Sequence, residues 1–373
     1  MAMKALIAMS GGVDSSVAAT RMLQDGYECI GVNMKLYEDS DIGMERTKSC
    51  GSADGAEDAR RVCDKLGMSF EVCYFRDDFI DKVMNKFADC YRCGLTPNPC
   101  VDCNRNLKFG RLYEYGRQLG CEKIVTGHYA RILQNENTKL YELHKGADEK
   151  KDQSYFLYML SQEQLSHILF PIGELCKEET RGIAGQNGFD NAGKKDSQDV
   201  CFIPDGDYHR FLKNRGIEGE PGDFVDEEGN VLGRHTGICN YTIGQRKGLG
   251  VSGKAPYFVK EINASKNQIV LSDNDSLFSR CLKAKNFDWT VDRLEDFDCL
   301  ETINYSDDGS VSFTCEAKIR YRHNPAKATV KIDIDGQIEV CFDEAQRAIT
   351  CGQAVVLYSG SRVLGGGTIT EVM

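Results

Sequence analysis

The sequence lacks several features that would assign it to common protein classes. Although 41% of its 373 residues are apolar, no uninterrupted apolar run reaches about 18 residues, which excludes a transmembrane helix. The N-terminal segment MAMKALIAMSGGVDSS reaches glycines and an aspartate too soon for the apolar region of a signal peptide. We therefore expect a cytoplasmic protein with no membrane partner. The sequence also lacks a repeat of roughly 20 to 50 residues and a low-complexity tail.

Positive charge is scarce. The chain has 46 Lys and Arg against 57 Asp and Glu, a formal net charge of -11. This balance argues against a nucleic-acid partner, which usually needs a basic face. The charge is uneven, however, because residues 261–316 hold 12 acidic and 5 basic side chains. Residues 317–332 hold no acidic residue and five basic ones, namely Lys318, Arg320, Arg322, Lys327 and Lys331. We expect phosphate contacts to concentrate in this stripe, although a solvated strand face would look almost the same.

Cysteine is abundant, with 17 residues. Length and compartment exclude a secreted disulfide scaffold, which leaves catalytic, metal-binding or buried thiols. Six cysteines lie in apolar patterns and are expected to be small core residues: Cys29, Cys63, Cys73, Cys121, Cys315 and Cys341. Cys90-x-x-Cys93 and Cys100-x-x-Cys103 together could form a four-thiolate zinc site, but their separation is shorter than zinc ribbons use.

The first 130 residues alternate between predicted strands and helices. Strands are expected at 5–9, 29–34, 70–75 and 123–129, and helices at 13–24, 53–67, 77–90 and 105–119. This alternation predicts an α/β fold with a parallel sheet covered on both faces. Residues 95–104 are expected to be irregular, because Pro97 and Pro99 interrupt them.

The pattern changes after about residue 205. Residues 218–234 resemble hairpins, and short alternating runs from 255 onward, separated by turn signals, predict a small β-barrel. We expect three domains: an α/β domain at 1–205, a small β-rich central domain at 206–280 and a C-terminal β-barrel at 281–373.

A glycine-rich turn between the first strand and helix is the first chemical motif. In Ser10-Gly-Gly-Val-Asp-Ser-Ser16, two glycines allow a tight turn with inward N–H groups, and the serines add hydroxyls at a helix N-terminus. Such a nest binds phosphate. It is not a Walker A loop, because Gly-Lys-Ser/Thr is missing. An ordinary Gly-rich turn is the alternative, but the full heptapeptide resembles the loop of the ATP pyrophosphatases.

Later motifs narrow the resemblance. They occur in order as Met34, Thr96-Pro-Asn-Pro with Cys103, Thr126-Gly-His-Tyr129, Lys151-Asp-Gln-Ser-Tyr-Phe-Leu157, Cys201 and Gly244-Gln-Arg-Lys-Gly-Leu-Gly250. Together with the phosphate loop they resemble the bacterial tRNA 2-thiouridylases, within the ATP pyrophosphatase (PP-loop) superfamily. The resemblance runs from residue 4 to the glycines at 365–367.

That resemblance implies an ATP-dependent replacement of O2 of the wobble uridine in tRNA by sulfur, after adenylation of O2. It assigns ATP binding to Ala8, Met9, Ser10, Gly11, Gly12, Val13, Asp14, Ser15, Met34 and Gly127, with Asp14 helping to hold Mg²⁺. The flipped target base would be framed by Asn98, Pro99 and Cys100. Contacts to tRNA would come from His128, Lys151, Asp152, Gln153, Arg320, Tyr321 and Gln353. His128 could equally be a satisfied strand-end histidine, and Lys151 an ordinary surface lysine.

Two cysteines would carry the sulfur. Cys201 would receive a persulfide from an upstream sulfur donor or carrier protein, and Cys103 would act as the nucleophile. Cys103 is expected just before a helix that begins near Asn104, where a helix N-terminus lowers the pKa of a thiol.

One position departs from the family pattern. Many members have an aspartate, the general acid/base, where this chain has Cys100. Asp102 lies two positions on, where a rigid loop would aim it differently. Cys100, Cys103 and Cys201 instead match a three-cysteine subset, in which the thiolates can hold a [4Fe-4S] cluster, and we leave this open against the persulfide route.

The rival functions are another PP-loop ATP pyrophosphatase, such as a small-molecule ligase or amidotransferase, and a non-enzymatic RNA-binding module.

Overall fold

A computed structural model describes residues 2–44, 53–194, 200–253, 255–300 and 302–373. The α-helices are α1 Val13–Gln24, α2 Ala53–Leu66, α3 Arg76–Phe79, α4 Lys86–Arg92, α5 Pro99–Cys103, α6 Leu112–Gln118, α7 Gln162–His167, α8 Lys177–Gln186 and α9 Tyr208–Asn214. Two π-helical segments, Ile80–Asn85 and Asn104–Arg111, join α3 to α4 and α5 to α6. No helix among these residues has both the length and the apolar character needed to cross a bilayer.

The strands follow the same numbering along the chain. They are β1 Lys4–Ala8, β2 Glu28–Lys35, β3 Ser69–Tyr74, β4 Lys123–Val125, β5 Ala130–Gln134, β6 Tyr141–Lys145, β7 Ile168–Leu169, β8 Gly222–Val225, β9 Val231–His235, β10 Phe258–Asn263, β11 Gln268–Ser272, β12 Phe278–Trp289, β13 Ile303–Tyr305, β14 Val311–Lys318, β15 Ala326–Ile332, β16 Ile338–Arg347, β17 Ala354–Ser359 and β18 Arg362–Val372.

The N-terminal sheet is parallel, as the alternating pattern predicts. Its strand order is β3-β2-β1-β4-β7, and every pairing in it is parallel. Successive residues of β1 bury their side chains on opposite faces: Leu6 joins one apolar cluster, whereas Ala5 and Ile7 join the other. Apolar layers therefore cover both faces of the sheet, and its carboxyl edge carries the loops after β1, β2 and β4.

Two further sheets are built by the rest of the chain. Strands β10-β11-β8-β9 form a four-stranded sheet around Phe224 and Ile269. Strands β12, β16, β15, β14, β17 and β18 close into a barrel, because β12 also pairs with β18. The expected hairpins and small β-barrel are therefore present.

One hairpin of the N-terminal region extends the barrel sheet. Strands β5 and β6 pair with each other, and His144 of β6 pairs with Arg362 of β18. Arg362 is 4% exposed and forms ion pairs with Glu142 at 2.9 Å and Asp298 at 2.6 Å. An apolar cluster also crosses this junction, with Tyr155 on one side and Tyr358 on the other. The barrel is thereby held against the elements that follow the parallel sheet.

One cysteine expectation is wrong. Cys341, expected as a small core residue, forms a disulfide with Cys281 on the neighbouring strand β12. The two residues lie directly opposite each other in the β12–β16 pairing. Both are half-buried, in contrast with the buried Cys29, Cys63, Cys73 and Cys121.

Candidate active site

A cavity of about 1270 Å³ lies between the carboxyl edge of the parallel sheet and the barrel. It is lined by most of the residues that the family resemblance singles out, which are Ala8, Met9, Ser10, Gly12, Val13, Asp14, Ser15, Met34, Asn98, Pro99, Cys100, Gly127, His128, Lys151, Asp152, Gln153, Arg320, Tyr321 and Gln353. Gly11, Cys103 and Cys201 are outside that lining. The fold thus joins residues from distant parts of the chain at one place.

The glycine-rich turn forms a compact loop before α1. The hydroxyl of Ser15 donates to the carbonyl of Gly12 at 3.1 Å and accepts the backbone N–H of Ser10 at 3.3 Å. Gly12 is the N-cap of α1 and offers no side-chain cap. The N–H groups of the first helical turn have no intrahelical acceptor, so they and the helix dipole are available to an anion at the cavity wall.

Two glycines are required by close packing around this loop. Gly11 has φ +76°, and a Cβ there would clash with the carbonyl oxygen of Gly55. Gly127 lies against the loop itself, since a Cβ there would be 2.7 Å from the carbonyl carbon of Asp14 and 2.8 Å from the nitrogen of Ser15. The Thr126-Gly127 segment therefore packs directly against the backbone of Asp14 and Ser15.

Asp14 is held by a lysine that the sequence analysis missed. Lys177, the first residue of α8, is 6% exposed, and its Nζ lies 2.7 Å and 2.9 Å from the two carboxylate oxygens of Asp14. The hydroxyl of Tyr129 also donates to Asp14 Oδ1 at 2.9 Å and lies 3.0 Å from Oγ1 of Thr180. No motif surrounds Lys177, and 163 residues separate it from Asp14, so only the fold pairs them.

The end of β2 supplies the wall expected to face adenine. Met34 is buried and lines the cavity. Asn33 beside it is 1% exposed and donates from Nδ2 to the carbonyl of Met9 at 2.7 Å. Its buried Oδ1 has no hydrogen-bond partner among the residues that the structure describes. Asn33 is among the residues that line the cavity, and it is a second feature that the sequence analysis did not identify.

The Thr-Pro-Asn-Pro loop is more regular than expected. Pro99 occupies the first position of helix α5, where a missing backbone N–H costs no hydrogen bond. The expectation of an irregular segment over 95–104 is therefore wrong for its second half. Cys100 is consequently exposed at the start of the helix. Cys103 is its last residue and is buried, so the expected placement of Cys103 just before a helix N-terminus is also wrong.

Asp102, two positions after Cys100, is tied to a neighbouring helix. Its carboxylate accepts a hydrogen bond from Lys86 Nζ at 2.6 Å, and it is absent from the cavity lining. Burial raises the pKa of Asp102, and the ion pair with Lys86 opposes that rise. Its role is to join α5 to α4, as the two-residue offset suggests.

His128 lies in the cavity wall within a short polar chain. Its Nδ1 is 2.6 Å from Oγ1 of Thr126, and its Nε2 is 3.3 Å from Nζ of Lys108. Burial, together with the charge of Lys108, lowers the pKa of His128 well below its usual value. The ring is therefore neutral. Because the lysine ammonium can only donate, Nε2 accepts and Nδ1 carries the proton.

The Lys151-Asp-Gln segment divides its side chains between cavity and scaffold. Asp152 is 6% exposed and accepts hydrogen bonds from the N–H groups of Gly146 and Ser154. Gln153 Oε1 accepts the N–H of Tyr129 at 3.0 Å. Lys151 is half-buried in the lining. Asp152 and Gln153 thus shape this wall as well as face the cavity.

The basic stripe is divided by the fold. Lys318 ends β14 and lines the cavity with Arg320 and Arg322, whereas Lys327 and Lys331 are exposed along β15. Burial lowers the pKa of both Lys318 and Arg320. The stripe is therefore not one continuous strand face, and its first half surrounds the cavity.

An aromatic pair lies beside these cations. The rings of Phe156 and Tyr321 are 4.5 Å apart, and both residues line the cavity. Phe156 belongs to the Lys151–Leu157 motif but was not predicted as a site residue. Aromatic faces next to cationic side chains are the usual platform for an unstacked base.

The two predicted sulfur-carrying cysteines lie at the same apolar cluster. Cys103 belongs to the apolar cluster on one face of the parallel sheet, and Cys201, which is half-buried, packs against that cluster. Among the described residues, the group with three metal-ligating atoms within 4.8 Å of one another is Cys281, Glu339 and Cys341. The thiols of Cys90, Cys93, Cys100 and Cys103 do not form such a group there, so the zinc alternative gains no support.

Comparison with known proteins agrees with this arrangement. The tRNA methyl transferase HUP domain family matches residues 3–205, the tRNA methyl transferase PRC-barrel domain family matches 209–273, and the aminomethyltransferase beta-barrel domain family matches 279–369. The tRNA-specific 2-thiouridylase MnmA of Clostridioides difficile (strain 630) is 47% identical over 99% of this chain and 98% of its own. The proteins of that name from Clostridium botulinum (strain Alaska E43 / Type E3) and Acetivibrio thermocellus are each 44% identical, over 99% and 98% of this chain and 98% and 99% of their own. The chain therefore belongs to the family of tRNA-specific 2-thiouridylases.

Proposed function

We propose that the protein catalyses ATP-dependent 2-thiolation of the wobble uridine of tRNA. The observation that carries this proposal is the shared cavity, in which the phosphate loop, Asn98 to Cys100 and the barrel cations Lys318 and Arg320 face one another. Its volume of about 1270 Å³ exceeds the roughly 300–1000 Å³ of a typical small-molecule site. ATP and an extruded nucleotide can therefore occupy it together.

The first step is adenylation. The uridine O2 attacks the α-phosphorus of ATP, an O2–P bond forms, the α–β phosphoanhydride bond breaks and pyrophosphate leaves with the electron pair. The first-turn N–H groups of α1 bind the phosphates, because the loop presents donors and a positive helix end to them. Met34 contacts adenine, and Gly127 keeps the loop in position.

The target uridine is held by the base loop, which is the segment Thr96-Pro-Asn-Pro-Cys100, and by the aromatic pair of Phe156 and Tyr321. Flipping exposes O2, which stacking in the anticodon would hide. Phe156 and Tyr321 offer the stacking face, while Asn98 to Cys100 frame the base edge. Lys151, Arg320 and the adjoining cations contact the tRNA phosphates, which explains how a chain of net charge -11 binds RNA.

Sulfur transfer uses Cys201 and Cys103. The terminal sulfur of a Cys201 persulfide attacks C2 of the adenylated base, and AMP leaves. The Cys103 thiolate then attacks Sγ of Cys201, the S–S bond to the substrate breaks, and the thiolated base is released with a Cys103–Cys201 disulfide, which a dithiol reductant reopens. A sulfur-carrier protein supplies the persulfide. Because both cysteines lie outside the cavity lining, this step requires their segments to move after tRNA binds.

A [4Fe-4S] cluster on Cys100, Cys103 and Cys201 is the alternative sulfur source. The arrangement gives it no support, because Cys100 is exposed at the cavity whereas Cys103 is packed in the apolar cluster with Leu107 and Phe202. We therefore favour the persulfide route. Anaerobic purification with iron and sulfide assays decides between them: a colourless, iron-free and fully active protein excludes the cluster, whereas activity that follows iron content excludes the persulfide route.

Product analysis tests the proposed function against its rivals. The purified protein is incubated with ATP, a persulfide donor and unmodified tRNA, and AMP, pyrophosphate and 2-thiouridine are measured. We expect AMP formation to require tRNA and the wobble uridine to gain one sulfur. AMP formation without tRNA would indicate another ATP pyrophosphatase, and tRNA binding without ATP–pyrophosphate exchange would indicate an RNA-binding module.

A further inference from the structure

The family resemblance gives Asp14 the role of holding Mg²⁺, and its surroundings in this chain disagree with that role. Both carboxylate oxygens are within hydrogen-bond distance of Lys177 Nζ, at 2.7 Å and 2.9 Å. Oδ1 also accepts the hydroxyl proton of Tyr129. A magnesium ion at Asp14 would have to displace the buried ammonium group of Lys177, which contacts both carboxylate oxygens.

We propose that Lys177 is the cation of the phosphate loop, that Asp14 orients its ammonium group toward the phosphates of ATP, and that Asp14 does not ligate a divalent cation. Lys177 would contact the leaving pyrophosphate and stabilise the negative charge that it acquires as the phosphoanhydride bond breaks. The divalent cation would then reach the cavity only on the phosphates of the nucleotide itself.

The lysine is fixed from its own helix as well as from Asp14. Its backbone N–H donates to Asp148 at 3.1 Å, and it begins the 10-residue helix α8. Thr180, one turn further along α8, meets the Tyr129 hydroxyl at 3.0 Å. The Nζ also lies 5.7 Å from the centroid of the Tyr129 ring. These contacts limit the ammonium to the cavity wall beside the phosphate loop, where Lys177 is among the lining residues.

The position of Lys177 compensates for a residue that the loop lacks. In a Walker A loop the lysine that reaches the β- and γ-phosphates belongs to the loop itself. Ser10–Ser16 contains no basic residue. The Asp14 carboxylate brings a lysine from α8 to the same edge of the sheet, so the cationic charge is supplied from a different element.

The test measures the binding of pyrophosphate and not thiolation. The inference rests on the proposed function, but a negative result here can be told apart from a failure of that function. Inorganic pyrophosphate is titrated without divalent cation into the wild-type protein, Lys177→Met and Lys65→Met by calorimetry. Lys65 is a matched control, since it donates to the carbonyl of Gly188 in the same domain but is absent from the large cavity. We expect Lys177→Met to bind pyrophosphate at least tenfold more weakly than the wild-type protein, and Lys65→Met to bind it less than twofold more weakly. Equal affinity in all three proteins overturns the proposal.

A second measurement uses the wild-type fold and does not depend on the lysine variant. Mn²⁺ is titrated into nucleotide-free wild-type and Asp14→Asn protein, and unbound Mn²⁺ is followed by electron paramagnetic resonance. The proposal predicts identical titrations, because Asp14 is not a ligand. Mn²⁺ binding that disappears in Asp14→Asn overturns it. Lys177→Met adds a positive signature if it folds, since removal of the ammonium releases the carboxylate and should create an Asp14-dependent Mn²⁺ site.

Discussion

The side-chain amide of Gln353, between β16 and β17 of the barrel, donates a 3.0 Å hydrogen bond to the carbonyl oxygen of Pro97 in the base loop. The same Nε2 is 3.1 Å from the carbonyl oxygen of Thr96, whose N–H in turn donates to the carbonyl of Cys351. The barrel therefore fixes the loop that is proposed to receive the uridine.

Gln353→Ala should loosen the base loop without affecting the nucleotide site. Losing hydrogen bonds of about 1 kcal/mol each is expected to raise the KM for tRNA several-fold, while the Kd for ATP stays within twofold. Steady-state kinetics with varied tRNA and direct ATP titration provide the measurement. Gln134→Ala, at an exposed glutamine whose side chain donates to the carbonyl of Lys139, is the control. An unchanged KM in Gln353→Ala would refute this role.

Gly127→Ala should impair ATP binding strongly. Its new Cβ would meet the backbone of Asp14 and Ser15 below 3.0 Å, and a backbone cannot yield as a flexible side chain can. We expect at least a tenfold weaker Kd for ATP. The comparison is Gly182→Ala in α8, which has open space around it and should be neutral or stabilising by up to about 1 kcal/mol. Equal ATP affinity in both variants would contradict the packing argument.

His128 should make the protein less stable in acid. Burial lowers the pKa of His128 in the folded state, whereas an unfolded histidine titrates near 6.5. As the pH falls through about 6.5, this histidine binds a proton in the unfolded chain but not in the folded protein. The free energy of unfolding therefore decreases by up to about 1.4 kcal/mol per pH unit. Urea unfolding at a series of pH values between 7.5 and 5 measures this change in the free energy of unfolding. The wild-type protein should lose more stability than His128→Asn, and parallel curves would show that His128 does not contribute.

The Cys281–Cys341 disulfide should stabilise the barrel independently of sulfur transfer. It spans 60 residues of sequence, and bridges of this size contribute about 2–4 kcal/mol in many proteins. A dithiol reductant should lower the Tm of the wild-type protein but leave that of the Cys281→Ser/Cys341→Ser double variant unchanged. An equal decrease in Tm in both proteins would show that the reductant does not act through the Cys281–Cys341 disulfide.

Local signals predicted much of the fold. The Val13–Gln24 helix has the expected bounds, because its apolar spacing and the following Gly26 are both contained in a few residues. The parallel sheet follows from alternating strand and helix patterns, and the hairpins expected within 218–234 correspond to the pairing of β8 with β9. The roles that the resemblance assigns to individual site residues stay predictions, although most of those residues line one cavity.

The remainder depends on contacts between distant residues. The Lys177–Asp14 pair has no local signature. Strand β18 contains three successive glycines, which weaken a strand pattern, yet Gly366 is required because a Cβ there would lie 2.7 Å from the ring of Tyr158. Helix α5 was missed because a proline stops a helix in its interior but begins one at its first position.

The most direct test of the proposed chemistry is to separate its two steps in Cys201→Ala. Wild-type and variant proteins are given ATP, a persulfide donor and unmodified tRNA, and tRNA-bound AMP and 2-thiouridine are quantified by mass spectrometry. We predict that the variant forms adenylated tRNA at close to the wild-type rate but no 2-thiouridine, whereas Asp14→Ala forms neither. Normal 2-thiouridine formation by Cys201→Ala would contradict the assignment of Cys201 as the sulfur carrier.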